Sequence, residues 1–216
     1  MNNITRRRRA MMAAKKSTPI LPPEYQQVEY IKSSGTQYID TGVKYYKHTI
    51  YLDGQFFNAQ RLVGAGVSGQ AANKMFDICY NSSYGIIVAA NNKSNNSWNS
   101  GKSYGYKRFT LLSNDSDGNL VFNGTTYTPA YTLDSNQQIT VSLFLFAQNW
   151  SGSAASFSTA SIYRCTIWNK TNGEMIRDYI PCYRKADGEI GLYDIVNDQF
   201  KTNAGTGTFT KGADVS

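Results

Sequence analysis

The final quarter of the chain most constrains the fold, because apolar and polar residues alternate there in short segments. In Ile162–Trp168, large apolar side chains alternate with small or polar ones, which is the two-residue period of a half-buried strand. The turn residues of Asn169–Gly173 predict a hairpin that returns as a strand from Met175 to Ile180. Pro181 has no N–H for a sheet ladder, so we expect the returning strand to end there.

The composition of the whole chain favours the same kind of structure. Sixteen Tyr and ten Phe, with only five Pro, are typical of strands and turns. Turn residues recur every eight to twelve residues or so, which is the spacing of a sandwich. A length of 216 residues suits one β-sandwich domain. The sequence therefore predicts an all-β fold with very little helix.

Two long blocks of sequence resemble known domains. The closing block, IRDYIPCYRKADGEIGLYDIVNDQFKTNAGTGTFTKG, and the opening block, LPPEYQQVEYIKSSGTQYIDTGV, are similar to LamG-like, concanavalin A-like jelly-roll domains in proteins of tailed phages of gut bacteria. The resemblance spans nearly the whole chain. It implies a jelly-roll β-sandwich in a virion protein of the head fibre or decoration type. It implies less about function, because this fold carries lectins, glycosidases and structural modules.

The net charge of +7 is concentrated at one end of the chain. Residues 1–16 carry six of the 22 basic residues and none of the 15 acidic ones, so the remainder is close to neutral. We therefore predict an extended basic N-terminal arm, residues 1–23, followed by the jelly-roll domain, residues 24–216. The basic residues of the arm are Arg6, Arg7, Arg8, Arg9, Lys15 and Lys16.

The arm has three interpretations. Adjacent guanidinium groups bind nucleic acid by releasing phosphate counterions, whatever the base sequence. A run of like charges is also typical of a disordered, solubilising tail. Because the resemblance implies a virion and the domain has no basic excess, we favour the third interpretation, an anchor to a capsid or other virion protein, and regard nucleic acid as an unfavoured partner.

The sequence predicts neither export nor membrane insertion. The apolar stretch Ala10–Ala14 is too short for a signal peptide, and no segment approaches the length of a membrane span. We expect the chain to be made in the host cytoplasm and to reach the virion surface. The three cysteines fit a reducing compartment. Cys165 and Cys182 lie on neighbouring predicted elements, but we predict buried free thiols rather than a disulfide.

Catalytic residues are scarce, so the sequence predicts that the chain is not an enzyme and has no cofactor. The single histidine, His48, lies within a segment that has the alternating pattern of a strand. No Ser or Cys is identified by its sequence context as a nucleophile that this histidine would activate. Jelly-roll glycosidases need two carboxylates close together. The four Glu are scattered among turns and the first strand, at Glu24, Glu29, Glu174 and Glu189.

No metal site is predicted. Asp115–Asn119 has the spacing of part of a calcium loop, but the distal Glu that completes such a loop is missing. We interpret the segment as a hairpin turn leading into Leu120–Phe122. The alternative is a weak calcium site shared with another loop.

Two stretches rich in aromatic and amide side chains are candidates for carbohydrate binding: residues 91–106 and residues 148–152. Sugars stack their C–H faces on exposed rings and hydrogen-bond to amides and hydroxyls. The candidate glycan-binding residues are Trp98, Tyr104, Tyr106, Asn149 and Trp150. The alternative interpretation, which the sequence favours, is that these tyrosine-rich loops form an edge or an interface.

Together these features predict a non-enzymatic virion structural protein. It would be a head fibre or capsid decoration, anchored by its arm to capsid or other virion proteins and projecting the sandwich. We expect a homo-oligomer, with a trimer favoured over a dimer. The alternative is a carbohydrate-binding adhesin or receptor-binding module, on a tail or free, whose partners are host-surface or mucosal glycans.

Overall fold

The computed structural model describes residues 21–68, 74–90, 97–101, 104–129 and 138–216. Residues 1–20 of the predicted arm, with all six of its basic residues, lie outside these ranges, as do residues 91–96 and 102–103 of the first glycan-binding candidate stretch. Across the described residues, no helix is long and apolar enough to cross a membrane.

The described residues form strands joined by turns and short loops. In chain order the strands are β1 (Tyr25–Gln27), β2 (Ile31–Ser34), β3 (Ile39–Lys44), β4 (His48–Phe56), β5 (Arg61–Val67), β6 (Lys74–Asn81), β7 (Gly85–Ala90), β8 (Ser97–Asn99), β9 (Phe109–Ser113), β10 (Leu120–Phe122), β11 (Thr125–Tyr127), β12 (Ser142–Leu145), β13 (Gln148–Trp150), β14 (Ser153–Ala155), β15 (Thr159–Asn169), β16 (Met175–Arg184), β17 (Ile190–Asp194), β18 (Gln199–Lys201) and β19 (Thr210–Lys211).

These strands make two sheets. The larger sheet has the order β11, β10, β9, β4, β15, β16, β17, β18, with β1 paired to β16 and β2 paired to both β15 and β19. The smaller sheet has the order β14, β13, β5, β6, β7, β8, and β12 pairs with both β3 and β5. The pairing is antiparallel except that β13 runs parallel to β5. The predicted all-β jelly-roll sandwich is confirmed.

The hydrophobic core lies between the two sheets. Alternate residues of β4 and β15 in the larger sheet face it, among them Leu52 and Ile167, and Phe76 and Ile78 of β6 face it from the smaller sheet. All four are fully buried. A fully buried side chain of this size contributes roughly 1.5 to 3 kcal/mol by leaving water. The period-2 pattern read from the sequence is therefore the pattern of core-facing positions.

The three cysteines are free thiols, as predicted. Cys165 and Cys182 are buried, and Cys79 is partly exposed. Burial raises the pKa of Cys182 to about 12. A thiol that stays protonated at neutral pH is a poor nucleophile, so this cysteine behaves as a small apolar side chain.

The expectation that the strand ends at Pro181 is wrong, because β16 continues to Arg184. The carbonyl oxygen of Pro181 accepts a hydrogen bond from the backbone N–H of Val28 at 3.0 Å. In an antiparallel ladder the nitrogen and carbonyl of one residue point to the same side. The missing N–H of Pro181 therefore faces Val28, one residue beyond the Gln27–Cys182 pair that ends β1, so the hydrogen bond it forgoes lies at the end of that ladder.

The segment that begins at Asp115 is a turn between β9 and β10, which pair antiparallel. The Asp115 carboxylate accepts hydrogen bonds from the backbone N–H groups of Asp117 and Asn119, both at 2.9 Å. One carboxylate thus closes the turn, and the interpretation as a hairpin is confirmed. Among the residues the structure describes, no group of three or more His, Cys, Asp or Glu is placed to hold a metal ion.

Candidate functional site

A pocket of about 340 Å³ lies on the outer face of the smaller sheet. Its walls come from β5, β6, β13 and β14, with Ser156 following β14. The residues that line the pocket are Arg61, Met75, Gln148, Trp150, Ala155 and Ser156. The second candidate stretch predicted from the sequence, residues 148–152, therefore contributes directly to a concave surface.

Two glycines of β5 make room for the pocket's side chains. Val63 and Ala65 face the core, so the intervening Gly64 and Gly66 face outward, since neighbouring strand residues point to opposite faces. A Cβ atom at position 66 would lie 2.6 Å from Cζ3 of Trp150. A Cβ atom at position 64 would lie 2.5 Å from an Asp77 carboxylate oxygen. Only glycine lets these two side chains lie against the sheet.

The strand register fixes which residues meet across these glycines. Gly66 is paired with Trp150 of β13 on one side and with Met75 of β6 on the other. Two residues earlier on β5, on the same face, Gly64 is paired with Gln148 and with Asp77. Side chains opposite one another on the same face of a sheet are in contact range. The parallel pairing of β13 with β5 therefore builds one row around an aromatic ring and another around polar groups.

The polar row is connected by hydrogen bonds. Nε of Arg61 donates to Oδ2 of Asp77 at 2.9 Å, and Nη1 of Arg61 donates to the hydroxyl of Ser156 at 2.9 Å. Nε2 of Gln148 donates to both carboxylate oxygens of Asp77, at 3.1 and 3.2 Å. These bonds hold Asp77 beneath the pocket and fix the plane of the Arg61 guanidinium beside it.

Asp77 is an unusual carboxylate because its side chain is only 2% exposed. Burial raises the pKa of Asp77 to about 7, although the charge of Arg61 and the hydrogen bonds from Arg61 and Gln148 oppose the shift. Removing water from a carboxylate penalises its ionised form. Asp77 therefore takes up a proton more readily than an exposed carboxylate does.

Arg61 is the cationic group of the pocket. Its side chain is 32% exposed, so the guanidinium reaches from the buried carboxylate to solvent. Nε and Nη1 have the partners described above, and no described residue accepts a hydrogen bond from Nη2. The pocket thus combines cationic N–H donors that no described residue accepts with the adjacent indole of Trp150 and the Ser156 hydroxyl.

The other residue predicted in the second stretch, Asn149, has a structural role. It is 4% exposed and is paired with Ala65, whose side chain faces the core. Its side-chain nitrogen donates to the carbonyl of Ser142 at 3.0 Å, and its side-chain oxygen accepts from the backbone N–H of Gly152 at 2.9 Å. Asn149 closes the turn after β13 and does not line the pocket.

Trp98 and Tyr104, predicted in the first stretch, belong to an aromatic cluster that joins the edges of the two sheets. The Trp98 ring lies 5.2 Å from the rings of Phe122 and Tyr127, and the Tyr104 ring lies 4.9 Å from that of Phe122. The Tyr104 hydroxyl donates to the carbonyl of Arg108 at 2.7 Å. Trp98 and Tyr104 both pack against the core, which suits them to stability rather than to stacking on a sugar.

Tyr106 lies apart from that cluster. Its ring is 4.9 Å from that of Tyr80, and it is 48% exposed. Its backbone carbonyl accepts a hydrogen bond from Gln55 at 3.0 Å. Of the three predicted aromatic residues in residues 91–106, it is the one with a large exposed surface, but it does not line the pocket.

The single histidine has a structural environment. Nδ1 of His48 accepts a hydrogen bond from the backbone N–H of Tyr46 at 2.9 Å, and the residue is 8% exposed. Burial lowers the pKa of His48 to about 4. An imidazole that stays neutral and accepts a local backbone bond stabilises the start of β4.

Comparison with known proteins identifies no family. No family model matches the sequence. No curated protein matches it either.

Several solved structures are similar to this chain. The Ruminococcus gnavus IT-sialidase CBM40 is 17% identical, with a TM-score of 0.48, and the match covers 65% of this chain and 90% of the other. The same CBM40 bound to α2,3-sialyllactose is 16% identical, with a TM-score of 0.47 and coverage of 66% and 90%. The NanB sialidase of Streptococcus pneumoniae is 18% identical, with a TM-score of 0.45, and the match covers 69% of this chain but only 27% of that enzyme. These similarities are too low to carry an argument about fold or function.

Arg61 and Asp77 are site residues that the sequence did not predict. They lie on different strands, 16 residues apart, and neither belongs to an aromatic stretch. One signal was present, because β5 reads RLVGAGV, with glycine at alternate positions. Glycine repeated on one face of a strand indicates that another group approaches the backbone there.

Proposed function

We propose that this chain is a non-enzymatic carbohydrate-binding protein and that the pocket beside Trp150 is its glycan site. The observation that carries the proposal is the Trp150 ring lying over Gly66 next to Arg61. Ligand pockets combine apolar surface with a few fixed polar groups. An aromatic ring accepts the C–H face of a sugar, while arginine, glutamine and serine side chains suit its hydroxyls.

The pocket supports binding rather than hydrolysis. Glycoside hydrolysis needs two carboxyl groups on opposite sides of the scissile bond. None of the described residues that line the pocket is a carboxylate, and Asp77 beneath it is engaged by Arg61 and Gln148. This arrangement favours a site that holds a glycan without cleaving it.

The virion role rests on the sequence resemblance to phage proteins and on the basic arm. In this proposal, residues 1–23 anchor the protein to a capsid or other virion protein, and the sandwich displays the pocket at the virion surface. A glycan site displayed in this way would hold the particle near host-surface or mucosal glycans. The alternative is the same sandwich acting as an adhesin on a tail or as a free module.

A glycan array tests the glycan-binding proposal. Wild-type protein should bind a subset of immobilised glycans, and Trp150→Ala should lose that binding. Tyr106→Ala is the matched control, because Tyr106 is the exposed candidate ring that does not line the pocket. Unchanged glycan binding by Trp150→Ala, or lost binding by Tyr106→Ala, would place the site elsewhere.

Imaging tests the virion proposal independently. Antibody-labelled particles viewed by electron microscopy should carry the protein on the head, whereas a tail adhesin would label the tail. Label on neither part would contradict both versions of the virion role and leave the glycan-binding proposal to stand on the array alone.

A further inference from the structure

The charge arrangement around the pocket distinguishes between classes of glycan. The positive group, Arg61, reaches the surface with its side chain 32% exposed, while its counter-ion, Asp77, is 2% exposed beneath it. A ligand in the pocket therefore meets the cation directly and the carboxylate only through intervening side chains. Arg61 lines the pocket and Asp77 does not, so the charged group that the pocket presents to a ligand is cationic.

The orientation of the guanidinium is fixed in advance. Asp77 accepts from Nε and Ser156 accepts from Nη1, both at 2.9 Å. No described residue accepts from Nη2, which together with Nη1 forms the outer end of the guanidinium fork. Two parallel N–H donors match the two oxygens of a carboxylate, and such charge-assisted pairs are roughly twice as strong as neutral hydrogen bonds. A fork already held in place loses little conformational freedom on binding.

We infer that the pocket selects glycans that carry a carboxylate and that Arg61 is the residue that binds this group, with Trp150 receiving the sugar ring. This inference rests on the proposed glycan-binding function and specifies its ligand class. Uncharged sugars lack the group that would pair with the fork. Sulfate and phosphate esters share the negative charge but present tetrahedral rather than planar oxygens.

The groups packed around Asp77 allow a second negative charge to approach. Apart from Arg61 and Gln148, Asp77 lies near the Cys79 thiol on its own strand, and burial raises the pKa of that thiol to about 12, so it stays uncharged. Ala89 of β7 is opposite Asp77 and has no charge. With its own pKa raised to about 7, Asp77 is able to take up a proton when an anion binds above it. Proton uptake would remove the repulsion between the two carboxyl groups.

The test uses immobilised glycans in matched pairs that differ by a carboxylate: methyl glucuronide with methyl glucoside, and α2,3-sialyllactose with lactose. A third arm carries sulfated lactose. Wild-type protein should bind at least one acidic member roughly tenfold more tightly than its neutral partner, the scale expected for a charge-assisted pair. Arg61→Gln should remove that preference and leave binding of the neutral member within about twofold.

Two further variants keep the result interpretable. The double variant Arg61→Gln/Asp77→Asn replaces the ion pair by a neutral pair, so that no buried carboxyl remains without its counter-ion. This variant should also lose the preference for acidic glycans. Arg108→Gln is the matched control, because Arg108 forms a similar ion pair with Asp53 on the other sheet, and it should bind as the wild type does.

The possible outcomes separate this inference from the proposed function. Equal or better binding of the neutral members, or an acidic preference that survives in both Arg61 variants, would overturn the inference and leave glycan binding intact. Preference for the sulfated member alone would also overturn it. Failure of wild-type protein to bind any glycan on the array would overturn the proposed function and the inference with it.

Discussion

The indole ring of Trp150 occupies the space that a side chain at position 66 would fill. A Cβ atom on Gly66 would lie 2.6 Å from Cζ3 and 2.7 Å from Cε3 of that ring, well inside van der Waals contact. The ring is held on the outer face of the smaller sheet and remains partly exposed. The pocket therefore depends on a small residue and a large one placed opposite each other on β5 and β13.

The two tryptophans of the candidate stretches should respond in opposite ways to truncation. Trp150→Ala should weaken glycan binding by roughly 1 to 3 kcal/mol with little loss of stability, because the ring lies outside the core. Trp98→Ala should lower the free energy of unfolding by about 3 kcal/mol, because its ring packs against Phe122 and Tyr127. Denaturant melts and a binding assay on both variants check the pair. A large loss of stability in Trp150→Ala would show that its ring is structural.

A methyl group at position 66 should displace the Trp150 ring. Gly66→Ala should therefore reduce glycan binding about as much as Trp150→Ala does, and it should cost about 1 to 3 kcal/mol of stability through overpacking. The double variant is the control, since the methyl group has room once the ring is gone, and it should be no less stable than Trp150→Ala. Simple addition of the two stability losses would show that positions 66 and 150 do not interact.

His48 should make stability depend on pH below neutrality. Its pKa is lowered from 6.5 to about 4 by burial, so the unfolded chain binds a proton before the folded chain does. The stabilising contribution is complete above pH 6.5 and is lost as the pH falls toward 4, by about 3 kcal/mol. The difference in unfolding free energy between wild type and His48→Gln, measured at pH 7 and pH 4, should shrink by that amount. A difference that stays constant would contradict the prediction.

Removing residues 1–20 should separate folding from assembly. The sandwich's hydrogen bonds and core described above involve residues 21–216, so the truncated protein should melt within a few degrees of the full chain. Incorporation into particles should be abolished, because the six basic residues of the proposed anchor are gone. Quantitative immunoblots of purified virions measure this. Truncated protein at normal copy number would refute the anchoring role.

Self-association is expected from the surface of the domain. Only 17% of the residues are charged, and Tyr84, Tyr106 and Tyr127 are exposed. A surface with few charges and exposed edge residues is poorly protected against pairing with another copy. Light scattering at micromolar concentration should give a mass above that of the monomer, with a trimer favoured. A monomer mass for the full-length protein would count against this prediction.

The sequence predicted strands well where their pattern reflects a half-buried face. The alternation in Ile162–Trp168 lies within β15, and the turn that follows leads into β16 as expected. Pro181 was misjudged because a sequence does not show which side of the strand its missing N–H faces, or whether a neighbour is present on that side. Ser97–Asn99 and Gln148–Trp150 lie in stretches that the sequence predicts to be loops, but they are short strands, because their pairing partners are distant in the sequence.

The sequence by itself determined the all-β sandwich, since alternating burial and turn residues are local properties of the chain. It also placed Trp150 in a candidate stretch on the strength of aromatic and amide composition. Only the tertiary structure decided that Trp150 lines a pocket while Trp98 packs against the core. Local sequence does not encode which strand lies alongside, and the parallel pairing of β13 with β5 brings Trp150 onto Gly66 and both beside Arg61 and Asp77.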